Sequence, residues 1–487
     1  MLKHYIQFLS GQQSTVSPFL IGDGDLYVQD NVNTSYKLGT ILKRLGYKQV
    51  GGALDAKPIT GLHNFRQSKT VQKILATCNN VAGTNLTLQW NNSGTWTDIT
   101  LGGAWDTFED CKVEMEDFIG YCFMVGYDST DKVWLPFSSF TGDDTFSTST
   151  NVDADLKAKY IKRYRDRLYV ANLYDGGAIS YRVAISDLPS GSTVGWTEYQ
   201  ADTGWIDLDY SEPITGLGSN WDKLYIFTEY SAYYYDQVQK KKAWDVGCIE
   251  HRTIKNLGPY MIWVNRDGVW QSSSGRPMNI AGRILDFVKA AVVLGNTMFA
   301  EVVDDEYHLY LGDVTVNSLS YTNCSVIYNI ATQSWRTAEY HDNFTIFAKY
   351  NNSGDDRLYM GCNDGEVMEL TKYYDSTPSY ADDGNNITAY FKTKQYDLED
   401  PTISKTIQKV IAYADRAQGL NLKAEIIDTN TSATNKVVPL GQLKKYINKF
   451  TPNVKGNFLQ IIGTESGQLP YFSLFGFSIK FEPNEKL

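Results

Sequence analysis

The chain has 487 residues and a net charge of −11. Such a length usually holds two or three domains, although a propeller can reach it as one. The acidic balance argues against a surface that grips nucleic-acid phosphates, since that takes clustered Lys and Arg, but it permits a duplex to slide past an acidic wall. No apolar run approaches the roughly 18 residues of a membrane span, and the first residues lack the apolar core of a signal peptide, so we expect no membrane span and synthesis in a cytoplasm.

The composition favours an all-β fold. The 34 tyrosines and 11 tryptophans suit pleated, half-buried surfaces, and amphipathic helical stretches are scarce, with residues 284–291 among the few candidates. The six cysteines are widely spaced and form no Cys-x-x-Cys pair. We therefore expect them to be buried reduced thiols.

Residues 1–50 read as an N-terminal arm and a lead-in hairpin. Residues 26–32 predict a short strand that ends at a turn-forming Asn31. Residues 42–47, Leu-Lys-Arg-Leu-Gly-Tyr, place a basic tip on a second short strand. Because this segment precedes the repeats described next, we expect it to make contacts outside them.

Residues 51–375 carry a repeated unit of strand, turn and strand. Its clearest copy runs through residues 324–335, where Tyr328 and Trp335 flank a short turn. An Arg/Lys-Leu-Tyr strand start recurs at Leu168, Leu224 and Leu358. The apolar strand centres are Leu75, Tyr121, Leu168, Leu224, Ile262, Leu309 and Leu358. Successive centres lie 46, 47, 56, 38, 47 and 49 residues apart, close to the repeat of about 40–50 residues in kelch and WD propeller blades, so the sequence predicts a β-propeller of about seven irregular blades.

A second repeat agrees with this interpretation. The five residues 58–62, Pro-Ile-Thr-Gly-Leu, return unchanged as residues 213–217, a separation close to three blades. The alternative is a large β-sandwich whose strand spacing is coincidental.

The chain changes character after residue 375. Residues 376–385 are rich in Pro, Gly, Ser and Asp and predict a linker. Beyond it apolar and polar residues alternate with period two, as half-buried strands require. The five alternating runs lie near residues 386–397, 403–414, 420–428, 456–463 and 471–481. They predict a small C-terminal β-sandwich over 386–487, with Lys444, Lys445 and Lys449 in its longest loop.

We find no catalytic, cofactor-binding or metal-binding residues in the sequence, and we expect the protein not to be an enzyme. The five histidines show no zinc-ligand spacing, and His308 within a predicted strand favours a structural role. Glu109, Asp110, Glu114, Glu116 and Asp117 cluster before one strand. Neighbours on one strand do not make the convergent pair of a glycosidase, so a solvated face is expected, with an acidic channel lining as the alternative.

Two stretches carry a family resemblance. One is the Leu-Lys-Arg-x-Gly-Tyr sequence at 42–47, and the other is residues 393–401, Thr-Lys-Gln-Tyr-Asp-Leu-Glu-Asp-Pro, followed by Lys405. With the order of the pieces, they make the chain similar to virion proteins of tailed bacteriophages. The family comprises the tail nozzle, tail hub and packaged-DNA-stabilisation proteins of short-tailed phages.

The resemblance implies a structural protein of the virion. Its copies would form a ring, a homohexamer, below the portal and adaptor, extending the conduit for double-stranded DNA without sequence-specific contacts. It would help to retain packaged DNA and guide its ejection, and it would anchor other tail proteins, fibres or a needle.

Two other classes of function remain open. The first is a carbohydrate- or receptor-binding propeller of a virion or cell surface, marked by at least three exposed aromatic side chains on one propeller mouth. The second is a propeller glycoside hydrolase, marked by two convergent carboxylates in a deep pocket, one with a pKa raised by burial.

Overall fold

The protein is nearly all β, with 60% of its residues in strands and 5% in helices, which confirms the all-β prediction. A computed structural model describes residues 2–8, 11–66, 68, 72–79, 86–92, 94–99, 111–128, 134–140, 146–147, 156–174, 177–190, 194–201, 203–208, 212–352, 354–416, 419–428, 435–444, 446–467 and 472–484. The predicted linker, the lead-in and most of the repeats therefore fall on described residues.

The lead-in contributes six strands. They are β1 Leu2–Gln7, β2 Gly11–Gln12, β3 Asp25–Asp30, β4 Val32–Asn33, β5 Ile41–Lys43 and β6 Tyr47–Gln49.

The repeat region contributes the next twenty-seven strands. They are β7 Ile59–Arg66, β8 Gln72–Asn79, β9 Leu86–Asn92, β10 Thr95–Ile99, β11 Cys111–Phe118, β12 Tyr121–Asp128, β13 Trp134–Phe140, β14 Phe146–Ser147, β15 Lys157–Tyr164, β16 Arg167–Tyr174, β17 Ala178–Ile185, β18 Trp205–Asp207, β19 Ile214–Asn220, β20 Lys223–Thr228, β21 Ala232–Tyr235, β22 Lys240–Trp244, β23 Lys255–Leu257, β24 Tyr260–Asn265, β25 Gly268–Ser272, β26 Met278–Asn279, β27 Phe299–Val303, β28 Glu306–Val316, β29 Leu319–Asn329, β30 Ser334–Glu339, β31 Phe344–Asn352, β32 Asp355–Cys362 and β33 Val367–Leu370.

The remaining strands follow residue 375. They are β34 Ala381–Asp382, β35 Asn385–Asn386, β36 Ala389–Thr393, β37 Lys405–Arg416, β38 Asn421–Ile427, β39 Lys436–Gln442, β40 Ile447–Phe450, β41 Val454–Gly456, β42 Phe458–Glu465 and β43 Ser473–Pro483.

Helices are few and short among the described residues. They are α1 Thr197–Gln200, α2 Leu285–Leu294 and the 3-10 turns His251–Thr253 and Ala281–Arg283. The stretch predicted as a helical candidate is α2, which buries Phe287, Val288 and Ala291. Within the described part of the chain, no helix has the length and apolar character needed to cross a bilayer.

Five propeller blades consist of four consecutive antiparallel strands each. They are β7–β10, β15–β18, β19–β22, β23–β26 and β27–β30. There are two further antiparallel units: β11–β12–β13, which carries β14 and follows the first blade, and β31–β32–β33, which follows the last blade and pairs with the lead-in strand β6. The first strands of successive units pack side by side, except that β19 packs on the 3-10 turn that precedes β23, and β31 packs against β7. The arrangement therefore closes on itself, and the N-terminal segment supplies the last strand of the final unit.

The repeated sequences occupy equivalent places. Leu168, Leu224 and Leu358 lie on the second strands of their units and are buried. Tyr328 pairs with Trp335 across the β29–β30 hairpin, and the buried Trp335 indole donates to the Ile280 carbonyl at 2.8 Å. The sequence repeat was thus a correct guide to the strand order.

The two Pro-Ile-Thr-Gly-Leu copies lead into the first strands β7 and β19. In both copies the register shifts at the glycine. A Cβ on Gly61 would lie 2.7 Å from the Thr77 hydroxyl oxygen, and one on Gly216 would lie 2.6 Å from Ile254. Glycine is therefore required by close packing at the same point of both units.

The C-terminal strands and the lead-in share one hydrophobic core. One sheet runs β4-β5-β43-β37-β40, with β1 on β43 and β41 on β37. The other set, β3-β36-β42-β38-β39, continues the sheet of β27–β30, because Asp30 on β3 bridges Thr337 on β30. Ile6 and Phe8 from the lead-in pack with Phe391, Phe477 and the other C-terminal core residues.

Two expectations about this region need correction. In the segment expected as the longest loop, Lys444 lies between β39 and β40, Lys449 lies on β40, and Lys445 lies outside the described residues. The side chains of β39 and β40 are largely exposed, so no strong apolar alternation marks these two strands. The predicted linker 376–385 contains β34, which pairs with β35, and its Asp382 is buried with only 2% of its surface exposed.

Candidate functional site

A cavity of about 700 Å³ lies on the propeller axis, and we call it the axial cavity. First strands of successive units line it, as expected for side chains that point toward the axis. The lining comes from residues 62–66, 113–117, 161–162, 217–219, 251–256, 299–301, 346–351 and Asp356.

Ion pairs between different units cross the wall of the axial cavity. Arg252 Nε lies 2.7 Å from Glu114 Oε1, Lys162 Nζ lies 2.8 Å from Glu116 Oε2, and Lys255 Nζ pairs with Glu301. Burial opposes the charge on Glu114, but Arg252 and His251 outweigh it and hold the pKa of this carboxyl below its usual value. The wall therefore consists of compensated charges that link different units of the propeller.

The sequence expectation of a solvated face for these carboxylates was wrong. Glu114, Glu116 and Asp117 line the axial cavity, and each has a cationic or histidine partner. Glu114 and Glu116 alternate along β11, and the adjacent Asp117 lines the cavity as well. Glu109 and Asp110 lie outside the described residues.

One cluster of potential metal ligands adjoins the axial cavity. Ligand atoms of His63, Asp117 and Cys122 lie within 4.8 Å of one another, and these three residue types suit zinc. Residues 54 positions apart in the sequence (His63 to Asp117) give no spacing motif. Burial, with Asp117 and Glu116 nearby, raises the pKa of the Cys122 thiol well above its usual value, which opposes the thiolate that zinc needs. His63 already bonds Asp117 at 2.8 Å.

A second site lies where the lead-in passes between the propeller and the C-terminal strands. We call residues 42–47, with the groups that they contact, the joint. Lys43 has no exposed side-chain surface and pairs with Glu465 at 2.5 Å, and it also donates to the Gly467 carbonyl. Burial lowers the pKa of Lys43, and Glu465 counteracts it.

Arg44 is the most highly connected residue of the joint. Its guanidinium donates to both carboxylate oxygens of Asp382, at 2.8 and 2.6 Å. It also donates to Asn31 Oδ1 at 2.6 Å and to the Glu339 carbonyl. Burial alone would lower its pKa, but Asp382 raises it. One side chain thereby ties the propeller strand β30, the lead-in and the segment after residue 375.

Gly46 and Tyr47 complete the joint. A Cβ on Gly46 would lie 1.9 Å from the Ala381 carbonyl oxygen, so only glycine permits this approach. The Tyr47 hydroxyl donates to Asp342 Oδ2 at 2.8 Å, and its ring is fully buried. Every polar or special residue of the Leu-Lys-Arg-x-Gly-Tyr sequence therefore has a structural contact.

The second stretch that carries the family resemblance, residues 393–401, begins at the end of β36 and precedes β37. Tyr396 is buried, and its backbone exchanges hydrogen bonds with Leu459 on β42. Its hydroxyl donates to the Asp23 carbonyl in the lead-in at 3.1 Å. The Lys405 ammonium donates to the carbonyls of Asp397 and Asp400 and so fixes this turn.

A third feature is a groove of about 330 Å³ beside the joint, which we call the side groove. Its walls are the lead-in around Tyr36, the β28–β30 sheet, and residues 370–374. Tyr36, Tyr373 and Tyr374 line one side. This is a cluster of three aromatic side chains. It lies beside the joint, whereas a cluster on one mouth of the propeller was the expected mark of a carbohydrate- or receptor-binding propeller.

Comparison with known proteins gives little guidance. No protein-family model matches the chain, and no curated protein matches it. Among solved structures, it is similar to the extracellular domain of the putative one-component system BT4673 from B. thetaiotaomicron, with a TM-score of 0.44 and 12% sequence identity. The match covers 92% of this chain and 62% of that one. A similarity of this size does not support functional inference.

Proposed function

We propose that the chain is a structural component of a bacteriophage tail, a nozzle or hub protein whose copies form a homohexameric ring. The ring extends the DNA conduit below the portal, helps to retain packaged DNA, guides its ejection and anchors neighbouring tail proteins. In this proposal DNA passes through the centre of the ring and not through the axial cavity of one propeller.

The observation that carries the proposal is the joint. Both sequences that resemble phage tail proteins make structural contacts. Lys43, Arg44 and Gly46 fix the lead-in between the propeller and the C-terminal strands, and Tyr396 and Lys405 fix the turn before β37 and its contact with the lead-in. A conduit protein needs a fixed geometry between its two parts, because ring closure depends on the angle between its interfaces. Residues that serve rigidity support a scaffold.

We place one ring contact on the C-terminal strands. Strand β40 ends its sheet, and Tyr446 and Ile447 are 71% and 53% exposed beside that edge. Exposed apolar side chains next to an unpaired strand edge are a template for association. Heterologous contacts of this kind produce rings when the rotation closes.

Native mass spectrometry with electron-microscope images of the same sample tests the ring. We expect assemblies of about six copies with an open centre. The double variant Tyr446→Ser/Ile447→Ser should shift them toward monomer, whereas Val238→Ser should not, although Val238 is 89% exposed on the propeller. A monomer at every concentration, with no ring in the images, would contradict the proposal.

We also propose that the propeller has seven blades and that the C-terminal strands form a β-sandwich with the lead-in. In support of seven, strands β11 and β31 line the axial cavity like the first strands of the five four-stranded blades. In support of the sandwich, the two sheets bury one common core. An experimental map that shows another blade number, or one continuous sheet, would overturn these two points.

Carbohydrate or receptor binding is the second candidate function, and the side groove favours it. Tyr36 and Tyr374 are 53% and 61% exposed there. An apolar pocket with a few convergent polar groups is the usual form of a small-ligand site. This function is compatible with a tail protein, which meets a cell surface.

A further inference from the structure

We propose that the side groove binds a neutral carbohydrate, one or two pyranose rings of a surface polysaccharide, against its tyrosine wall. The inference deepens the second candidate function and does not depend on ring formation. The groove's volume of about 330 Å³ lies at the lower end of the range of about 300–1,000 Å³ typical of ligand clefts.

The tyrosine wall offers aromatic faces that are held in place. The rings of Tyr36 and Tyr373 stack with centroids 4.2 Å apart and planes 25° apart. The Tyr373 hydroxyl donates to the Lys43 carbonyl at 2.6 Å, and the Tyr374 hydroxyl donates to Asp355 at 2.9 Å. Tyrosine gives a large amphipathic contact area at a low entropic cost. The apolar face of a sugar ring can pack on such a wall.

The opposite side of the groove supplies fixed polar groups. Glu306 accepts two hydrogen bonds from Arg336, both at 2.5 Å, and another from the Asn329 amide at 3.2 Å. Glu306, Asn329 and Arg336 therefore present acceptors and donors together in the lining of the groove, and a sugar hydroxyl can both donate and accept a hydrogen bond.

His308 adds an unfilled acceptor. Its side chain lines the groove, is 3% exposed, and carries a buried Nδ1 that has no hydrogen-bond partner within the described residues. Burial lowers the pKa of His308 to about 4, so the imidazole is neutral at pH 7. Its Nε2 lies 3.6 Å from Glu306 Oε2, so in this proposal Nδ1 is the ring nitrogen that accepts from a sugar hydroxyl.

The charges of the groove explain why the ligand is neutral. Arg336 is paired with Glu306, Lys372 with Asp304 at 2.5 Å, and Arg44 with Asp382. No cation in this described wall is left to hold a phosphate or carboxylate, and anion sites need such a charge. Hydroxyl groups, in contrast, can join paired ions without separating them.

Saturation-transfer difference NMR on the full chain tests the inference. The probes are four neutral oligosaccharides, maltotriose, cellotriose, chitotriose and galactobiose, with trigalacturonic acid as the charged comparison. We expect at least one neutral probe to bind and the charged probe not to bind. Tyr36→Ala and Tyr374→Ala should each weaken binding about tenfold, as loss of an aromatic contact implies.

Two exposed tyrosines elsewhere provide matched controls. Tyr230 and Tyr174 are 61% and 37% exposed, and they do not line the groove, so Tyr230→Ala and Tyr174→Ala should leave affinity unchanged. His308→Phe should weaken binding while the chain remains folded by circular dichroism. Failure of all four neutral probes to bind, binding of the charged probe alone, or equal losses in the control variants would overturn the inference.

The ring and the sugar site are two proposals, and the experiments can refute either one without the other. The Tyr36→Ala and Tyr374→Ala variants should retain the assembly mass of the wild type in native mass spectrometry. A chain that forms rings but binds no probe refutes only the sugar site. A monomer that binds a neutral probe refutes only the ring.

Discussion

The joint and the axial cavity both contain networks of opposite charges, but the two differ in their access to water. In the joint, the side chains of Lys43 and Glu465 are 0% and 3% exposed, and those of Arg44 and Asp382 are 8% and 3% exposed. In the axial cavity, Glu116 and Lys162 are 19% and 30% exposed. The joint pairs are enclosed by protein, whereas the cavity pairs face the axial cavity, which has room for many water molecules.

This difference determines what each network does. Removing one partner of an enclosed pair leaves a buried charge, which costs about 3–5 kcal/mol. The same change beside a cavity lets water solvate the remaining charge, so the cost is smaller. The joint therefore fixes one arrangement of the propeller and the C-terminal strands, while the axial charges tolerate substitution.

The largest effect should follow from Arg44→Met. Asp382 would remain buried without its cation, and three other acceptors would lose their donor, so the free energy of unfolding should fall by about 3–5 kcal/mol. Urea unfolding measures it. Arg165→Met is the control: its partner Asp222 is 79% exposed, and its loss should leave the midpoint of urea unfolding nearly unchanged. Equal losses in both variants would remove the distinction between joint and surface.

Gly46→Ala should cause the second-largest loss in the free energy of unfolding. The added methyl group would meet the Ala381 carbonyl, and the backbone would have to shift, at a cost of about 1–3 kcal/mol. Gly52→Ala is a matched control six residues away, because a Cβ there has no heavy atom within 4 Å. If the two variants unfold at the same urea concentration, the close approach at the joint is not a constraint.

Glu114→Gln in the axial cavity should cost about 1–2 kcal/mol, less than Arg44→Met. Arg252 keeps its hydrogen bonds to the carbonyls of Thr60 and Val113, and water can replace the lost charge partner. The native-state pKa of Glu114 is depressed, so its contribution is present above the unfolded value near pH 4 and is lost as the pH falls further. The difference between the variant and the wild type should therefore shrink in acid; a constant difference would contradict this reasoning.

A substitution of Asp30 should have the smallest effect on the free energy of unfolding, and this effect should depend on pH. Burial raises its pKa well above the usual value, and Glu339 adds to the rise while Arg44 opposes it. A raised native pKa means that the folded state binds the extra proton, so stability declines as the pH rises from about 4 through the native pKa.

Asp30→Asn removes this titration. The wild type should lose stability relative to the variant as the pH rises, in a series of urea titrations. Asp415→Asn, whose side chain is 51% exposed in its pair with Lys37, should run parallel to the wild type. A wild-type profile that runs parallel to that of Asp30→Asn would contradict the proton assignment.

The sequence predicted the all-β class and the strand order well, for a physical reason. Leu168, Leu224 and Leu358 occupy the same buried position in successive units, so packing imposes the same residue types at the same spacing. The five C-terminal runs correspond to β36, β37, β38, β42 and β43, and each contributes apolar residues to the common core. On β42 and β43 most of the intervening residues are buried as well.

The sites were not predictable in this way. Lys43 and Glu465 are 422 positions apart, and Arg44 and Asp382 are 338 apart, so no local pattern links them. Asp382 lies in a segment whose composition is that of a linker. The position of Glu114 in the wall of the axial cavity was not predicted, because sequence alternation separates the two faces of a strand but does not show which face points to the propeller axis.

Hydrogen–deuterium exchange of the full chain tests the central claim, that the joint locks the propeller to the C-terminal strands. The Arg44 amide donates to Asn31, the Gly46 amide to Ser379, and the Asn31 amide to Thr337. We predict that these amides exchange as slowly as those of the core strands β37 and β43, because they open only when the whole chain unfolds. If they exchange as fast as exposed loop amides while the core strands stay protected, the two parts are not locked together, and the account is wrong.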